Sequence, residues 1–167
     1  MKVLGIDPGS AVVGYGVVET DQDHFARLVE CGVLRIDAKA SLPRRLQLIH
    51  DGLRELIGRH HPDIMAVEDI FYGKNARTSA VLGHARGVIL LTGEQTGLPI
   101  AEYAPATIKK TVVGRGAAVK SQVAYMVAQL LRLSGPPTPA DAADGVAIAL
   151  THLMLGRART GHLTNAR

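Results

Sequence analysis

The chain opens on a short apolar run, Lys2 to Ile6, that meets Asp7 and is stopped at once by Pro8-Gly9. A run of that length bounded by Pro-Gly reads as a buried strand running into a tight turn. A carboxylate at the end of such a strand is costly to leave unpaired, so the fold must offer it solvent, a donor or a cation. Taken alone, Asp7 fits an Asx-type turn equally well, with no chemistry attached. A cation site there needs further acids brought to the same spot, and the candidates are Glu68, Asp141 and Asp144.

Residues 11–20, rich in Val, Gly and Tyr, predict a second strand, residues 21–24 a polar turn, and residues 25–36 a third strand. Short turns make these three an antiparallel meander. Ser41-Leu42-Pro43 predicts a helix start, and Leu46, Ile49, Leu53, Leu56 and Ile57 keep helical spacing to about Arg59. His60-His61-Pro62 ends that helix, and both histidines are expected at the surface. Ile64 to Val67 predicts a fourth strand. A helix between two strands implies a right-handed crossover, so the new strand runs parallel to an earlier one. Placed beside the first strand, it brings Asp7 and Glu68 together at the carboxyl edge of the sheet, where open α/β sheets put their sites. Alternation leaves open whether Glu68 or Asp69 faces that site, because a strand covered on both faces shows no clear parity. Residues 78–92 predict an apolar helix dotted with Ala80, Gly83, Ala85 and Gly87, and residues 98–103 a fifth strand. Further helices are expected from Pro105, over 120–133 and over 138–155. With 167 residues, the expectation is a single domain.

In the last helix, Thr138 can act as the N-cap, Pro139 suits the first helical position, and Asp141 can complete a capping box. Asp144 is harder to assign to capping, since helix interiors do not favour Asp and its neighbours are Ala142, Ala143 and Val146. Three residues apart, Asp141 and Asp144 share a helix face, with roughly 5–6 Å between their Cβ atoms. Two carboxylates among alanines suggest a cation beneath them, with small neighbours letting the helix lie close over the sheet edge.

Charge is unevenly distributed. Residues 1–70 carry eight Lys/Arg and eleven Asp/Glu, whereas residues 71–167 carry eleven and four. Between Glu102 and Asp141 every charged residue is basic: Lys109, Lys110, Arg115, Lys120 and Arg132. That asymmetry points to a polyanionic partner, nucleic acid first. Phe71 and Tyr72 beside Lys74 in a loop suit stacking on an unpaired base, though the same rings can plug a core. Gly114 to Ser121 is not a P-loop, because Val119 stands where the glycine before the lysine belongs. The single cysteine, Cys31, excludes an internal disulfide framework and a thiolate zinc cluster, and is expected in the core. No apolar run approaches membrane-spanning length and the first residues do not read as a signal peptide, so the expectation is a cytoplasmic protein with no membrane contact.

Gly5-Ile6-Asp7-Pro8-Gly9-Ser10, Val67-Glu68-Asp69-Ile70-Phe71, Gly83-His84-Ala85-Arg86-Gly87-Val88, Lys110-Thr111-Val112-Val113-Gly114, Lys120-Ser121-Gln122-Val123 and Asp141-Ala142-Ala143-Asp144 occur in that order. Together they resemble the RuvC family of Holliday junction resolvases over nearly the whole chain. The resemblance implies a ribonuclease-H-like α/β fold: a mixed five-stranded sheet, three strands antiparallel and then two parallel, flanked by helices. It implies a nuclease domain over residues 1–156; the basic tail over 157–167 has three arginines and no acid, and is expected to be disordered. It further implies a homodimeric endonuclease that cuts four-way DNA junctions with Mg²⁺ or Mn²⁺ and works with a branch-migration motor.

Carried over by position, Asp7, Glu68, Asp141 and Asp144 are the catalytic, metal-binding acids, and Lys120 lies close to the scissile phosphate. Phe71 aligns with an aromatic that stacks on a base near the crossover, and Lys109 with a DNA-contacting lysine. Tyr72, Lys74, Arg77, Lys110 and Arg115 are the remaining candidate DNA contacts. Asp69 departs from the glutamine frequent in the family, and some members carry His where Asp141 stands. The chemistry is consistent: in-line hydrolysis of a phosphodiester builds charge on two oxygens, which two divalent ions can stabilise. Mg²⁺ takes carboxylate and water oxygens and needs no His or Cys. In this scheme Asp7 bridges the two ions and the other acids complete their shells. Gly5 to Ser10 also looks like the first phosphate motif of actin-like ATPases and sugar kinases, but no second copy is present. A non-catalytic DNA-binding module would explain the basic half and leave Glu68 and Asp144 idle.

Overall fold

The computed structural model of the protein describes residues 1–21, 25–69 and 75–164, with backbone alone from 157 onward. Strands β1 (Lys2–Asp7), β2 (Val12–Thr20) and β3 (Ala26–Arg35) form the antiparallel meander. Helix α1 (Leu42–His60) then crosses over to β4 (Ile64–Glu68), which pairs parallel with β1. Helix α2 (Ala76–Gln95) leads to β5 (Ile100–Tyr103), parallel to β4, giving the order β3-β2-β1-β4-β5. Helices α3 (Pro105–Val113), α4 (Lys120–Leu130) and α5 (Ala140–Thr164) complete the described chain. None of the helices is long and apolar enough to cross a membrane among the described residues.

Strand alternation divides the core into two layers. Leu4, Ile6, Val13, Val17, Met65 and Val67 point to one face, where Ile49, Leu53, Ala85 and Ile89 of α1 and α2 cover them. Val3, Val18 and Ala66 point to the other, against Ile108, Val127, Val146 and Leu150 of α3, α4 and α5. The parity that sequence left open is thereby decided. Glu68 is in step with Ala66 and Asp7 with Val3, so both carboxylates lie on the α5 side of the sheet.

Helix α5 approaches the sheet at backbone contact distance, and glycines on both sides make that possible. A Cβ at Gly5 would stand 2.2 Å from the Gly145 carbonyl oxygen, and one at Gly14 2.0 Å from that of Asp141. A Cβ at Gly145 would stand 2.5 Å from the carbonyl carbon of Tyr15. No side chain fits such gaps, so Gly5, Gly14, Gly16 and Gly145 form the seat of the helix, with Ala142, Ala143 and Ala149 filling its flanks. The turn after β1 is held separately: Arg45 of α1 donates through Nε and Nη2 to the Ser10 carbonyl at 3.0 and 2.5 Å.

Several boundaries differ from the sequence reading, for local reasons. Helix α2 continues past Thr92 to Gln95, because Thr92 returns its hydroxyl to the Val88 carbonyl at 2.7 Å and Gly93 lets the turn press on Met65 and Ile100. Helix α4 ends at Leu130, with Arg132 left-handed at φ 54°. Helix α5 starts at Ala140, after Thr138 and Pro139, so Thr138 is not its N-cap residue, and its backbone stays helical to Thr164, well beyond Leu155. The surface reading of His60 is corrected: its side chain is only 10% exposed, and Nε2 lies 3.0 Å from Glu30 Oε2. Glu30 also accepts from the Tyr15 hydroxyl at 2.8 Å, so β2, β3 and α1 meet in one polar contact that sequence spacing does not reveal. Cys31 is partly buried against the α5-side core and its thiol pKa is pushed up, chiefly by burial.

Candidate active site

Each acid reaches the site by a separate route through the fold. Asp7 is the last residue of β1, released from the sheet where Pro8-Gly9 turns the chain. Glu68 is the last residue of β4, and the register Ile6↔Val67 makes it the next neighbour of Asp7 across a parallel pair. Asp141 and Asp144 hang from the first turns of α5, held over Gly14 and the end of β1 by the glycine seat. One carboxylate oxygen each from Asp7, Asp141 and Asp144 lies within 4.8 Å of the others. Glu68 joins from the β4 side, hydrogen-bonded to Asp7.

This grouping is electrostatically strained. Asp7 is pushed up from 3.8 to about 8, first by burial, then by the Glu68 charge and the hydrogen bond they share, then by Asp144. Glu68 is raised as well, again chiefly by burial. Burial and like charge both disfavour ionisation of Asp7 and Glu68 unless positive charge enters. Part of that charge is Lys120, the first residue of α4. Its Nζ donates to Asp144 Oδ2 at 2.6 Å, and its own pKa rises chiefly through that bond. The rest of the demand fits a divalent cation. The donors are all carboxylate oxygens with room for water, the set that hard octahedral ions take.

The acids open onto a cavity of about 210 Å³ that Asp7, Glu68, Asp144, Lys109 and Lys120 line on its polar side. Pro105, Ile108, Val123, Ala147 and Ile148 form its apolar wall. Lys109 bears on the site directly, lowering the Glu68 pKa against the larger effect of burial. Lys110 and Arg115 are exposed at the end of α3 and in the turn behind Gly114, which is left-handed at φ 89°. Arg77 is exposed in the first turn of α2, one residue into the helix that the Asn75 side chain caps by accepting from the Thr78 N–H at 3.1 Å. Phe71, Tyr72 and Lys74 lie outside the described residues. Two supporting arginines escaped the sequence reading. Arg45 clamps the turn after Asp7. Arg86 of α2 pairs through Nη2 with Asp69 at 3.1 Å and with Glu102. Asp69 thus turns to α2 and ties the end of β4 to it.

The family model for the crossover junction endodeoxyribonuclease RuvC matches residues 3–152. The chain belongs to the RuvC family. The RuvC endonucleases of Halorhodospira halophila and Sorangium cellulosum are 52% identical over 151 residues and 49% identical over 153. Those matches cover 90% and 92% of this chain, and 89% and 84% of the relatives. Among solved structures, Thermus thermophilus RuvC superposes with a TM-score of 0.86 at 35% identity, covering 96% of this chain and 98% of that one. The same protein in complex with a Holliday junction substrate gives 0.85 at 32% identity, over 94% and 96%. The yeast mitochondrial Holliday junction resolvase shares the fold at TM-score 0.64 and 18% identity, over 98% of this chain and 83% of that one. The ribonuclease-H-like sheet expected from sequence is therefore the family's own architecture.

Proposed function

We propose that this chain resolves four-way DNA junctions by metal-dependent hydrolysis of phosphodiesters, as paired nicks in two strands. The carrying observation is the convergence of Asp7, Asp141 and Asp144 within 4.8 Å, with Glu68 and Lys120 bonded to them, in a chain of the RuvC family. The four acids would hold Mg²⁺, two ions per site, with Mn²⁺ able to substitute. The bound ions would supply the positive charge that the attacking and leaving oxygens need. The chain's own residues do the rest. Lys109 and Lys120 draw the phosphate into the cavity. The apolar wall of Ile108, Val123 and Ile148 limits the water around it. Water oxygen bonds to phosphorus, the bond to the 3′ oxygen breaks, and that oxygen leaves with a proton. The products carry 5′-phosphate and 3′-hydroxyl ends. Lys120 Nζ donates to the phosphate or to the leaving oxygen.

A single chain has one such site among the described residues, and symmetric cutting takes two, so the proposed working form is a two-fold homodimer with α2 in its interface. Phe71, Tyr72, Lys74, Arg77, Lys109, Lys110 and Arg115 are the proposed DNA contacts, acting on backbone and unpaired bases, which reads shape more than sequence. Association with a branch-migration motor and a cytoplasmic location complete the proposal. Family membership favours this reading over a non-catalytic DNA module or a nucleotide-binding domain. The test is a panel of four-way junction, linear duplex and single strand, with Mg²⁺ and with EDTA, for wild type and Asp7→Asn. Paired nicks in the junction alone, requiring Mg²⁺ and Asp7, are expected. Nicking in EDTA, or full nicking by Asp7→Asn, refutes it.

A further inference from the structure

Helix α4 presents two working faces. Lys120 and Val123 turn toward the acid-lined cavity, while Ser121, Gln122, Tyr125 and Met126 turn to a second, open groove of about 300 Å³ floored by Val113 of α3. Residues three and four apart share a helix face, which is why the two sets separate so cleanly. Tyr125 stands at the groove with 58% of its surface exposed, and its hydroxyl has no protein partner among the described residues. A lone exposed aromatic needs no explanation. An aromatic lip on an apolar groove does call for one when exposed Lys110 and Arg115 flank its Val113 floor along the chain and the acid-lined cavity lies on the next helix face.

The charge around the groove selects its occupant. Lys110 and Arg115, three residues before and two after Val113, are exposed, and no acid occurs between Glu102 and Asp141. A second copy seated on the same face would bring the same exposed Lys110 and Arg115 and be repelled by them. A nucleotide offers the complement, an apolar base face flanked by phosphates. From Ser121 to Tyr125 the groove follows ~6 Å of helix axis, room for one or two nucleotides at the ~3.4 Å spacing of a DNA strand.

Resting on the junction-nuclease reading, we propose that this groove is a nucleotide subsite. A base next to the cut stacks on the Tyr125 ring, its sugar lies over Val113 and Met126, and the adjoining phosphates meet Lys110 and Arg115. Stacking of this kind is tolerant of base identity and insensitive to salt, unlike a phosphate contact.

The experiment measures binding of a four-way junction in EDTA by wild type, Tyr125→Ala, Tyr125→Phe and Lys110→Ala over a salt series. 2-Aminopurine is placed at successive positions beside the cut, and wild-type cleavage in Mg²⁺ runs as a separate arm. Tyr125→Ala should weaken binding about tenfold with an unchanged salt slope, and should abolish a 2-aminopurine quench that wild type and Tyr125→Phe both show. Lys110→Ala should instead lower the slope by about one. A benzoylphenylalanine at position 125 should crosslink to DNA. Wild-type affinity and quench in Tyr125→Ala, or crosslinking to a second protein chain, overturns the subsite while leaving cleavage intact. A wild type that neither cuts nor binds the junction removes the parent reading, and the subsite with it.

Discussion

Replacing Gly145 by Ala tests whether the seat of α5 positions the acids. The new Cβ would stand 2.5 and 2.6 Å from the carbonyl carbon and Cα of Tyr15, and 2.8 Å from the Gly16 nitrogen. Carbon atoms settle at ~3.5–4.0 Å, and the obstacle is strand backbone, so the helix must retreat by about 1 Å at that point. Asp144 is the preceding residue and Asp141 lies one turn earlier, so both move away from Asp7. Misplacement on this scale costs roughly 100-fold in rate. Overpacking should cost ~1–3 kcal/mol, or roughly 2–12 °C in melting temperature for a chain of this size, set against the ~1 kcal/mol that Ala gains over Gly inside a helix. Gly58→Ala in α1 supplies the control, since nothing lies within 4 Å of its Cβ and only the propensity gain applies. The assays are thermal melting of both variants and Mg²⁺-dependent nicking of a four-way junction. Gly145→Ala that melts with Gly58→Ala and nicks at the wild-type rate would show that the helix does not depend on this seat.

Three further outcomes follow from the site. The folded-state pKa of Asp7, about 8, lies above its ordinary 3.8, so the folded protein holds a proton that the unfolded chain releases. The metal-free protein should be most stable below about pH 4 as far as this group is concerned. It should lose that contribution as pH rises through about 8, a loss that Mg²⁺ should suppress; urea titrations at several pH values, with and without Mg²⁺, measure it. Lys120→Ala removes the 2.6 Å partner of Asp144 and the cation at the cavity mouth. It should cut the nicking rate roughly 100-fold with a much smaller change in junction affinity, read by single-turnover kinetics beside gel-shift binding. Phe71→Ala should weaken cleavage more than binding, and equal losses in both assays count against base stacking there.

Sequence spoke clearly where local rules decide the outcome. The run into Asp7-Pro8-Gly9 marks the strand end, and the right-handed crossover through α1 makes β4 parallel to an earlier strand, so the Asp7–Glu68 pairing was readable on the one condition, met in the fold, that β4 lies beside β1. The choice between Glu68 and Asp69 was not, because it depends on which face α5 covers, a tertiary fact. The glycine seat was missed for a related reason: a glycine in a strand reads as a weak point until a helix is known to press on it. Gly5 on β1 and Gly14 and Gly16, two apart on β2, carried the signal, and only their packing against Asp141, Gly145 and Val146 of α5 gives it meaning. His60 was misread because its partner, Glu30, lies on a strand 30 residues away. Arg45 and Arg86 act on loops and strand ends remote in sequence, which no spacing rule anticipates.

The central claim is that the carboxylates of Asp7, Asp141 and Asp144 enclose one divalent-cation site at the carboxyl edge of the sheet. Diffraction from crystals grown with Mn²⁺, collected at the manganese absorption edge, addresses it without reference to activity. The account predicts an anomalous peak between those three carboxylates, lost in Asp7→Asn. Saturating Mn²⁺ that leaves that position empty, or a peak that persists without the Asp7 carboxylate, would contradict it.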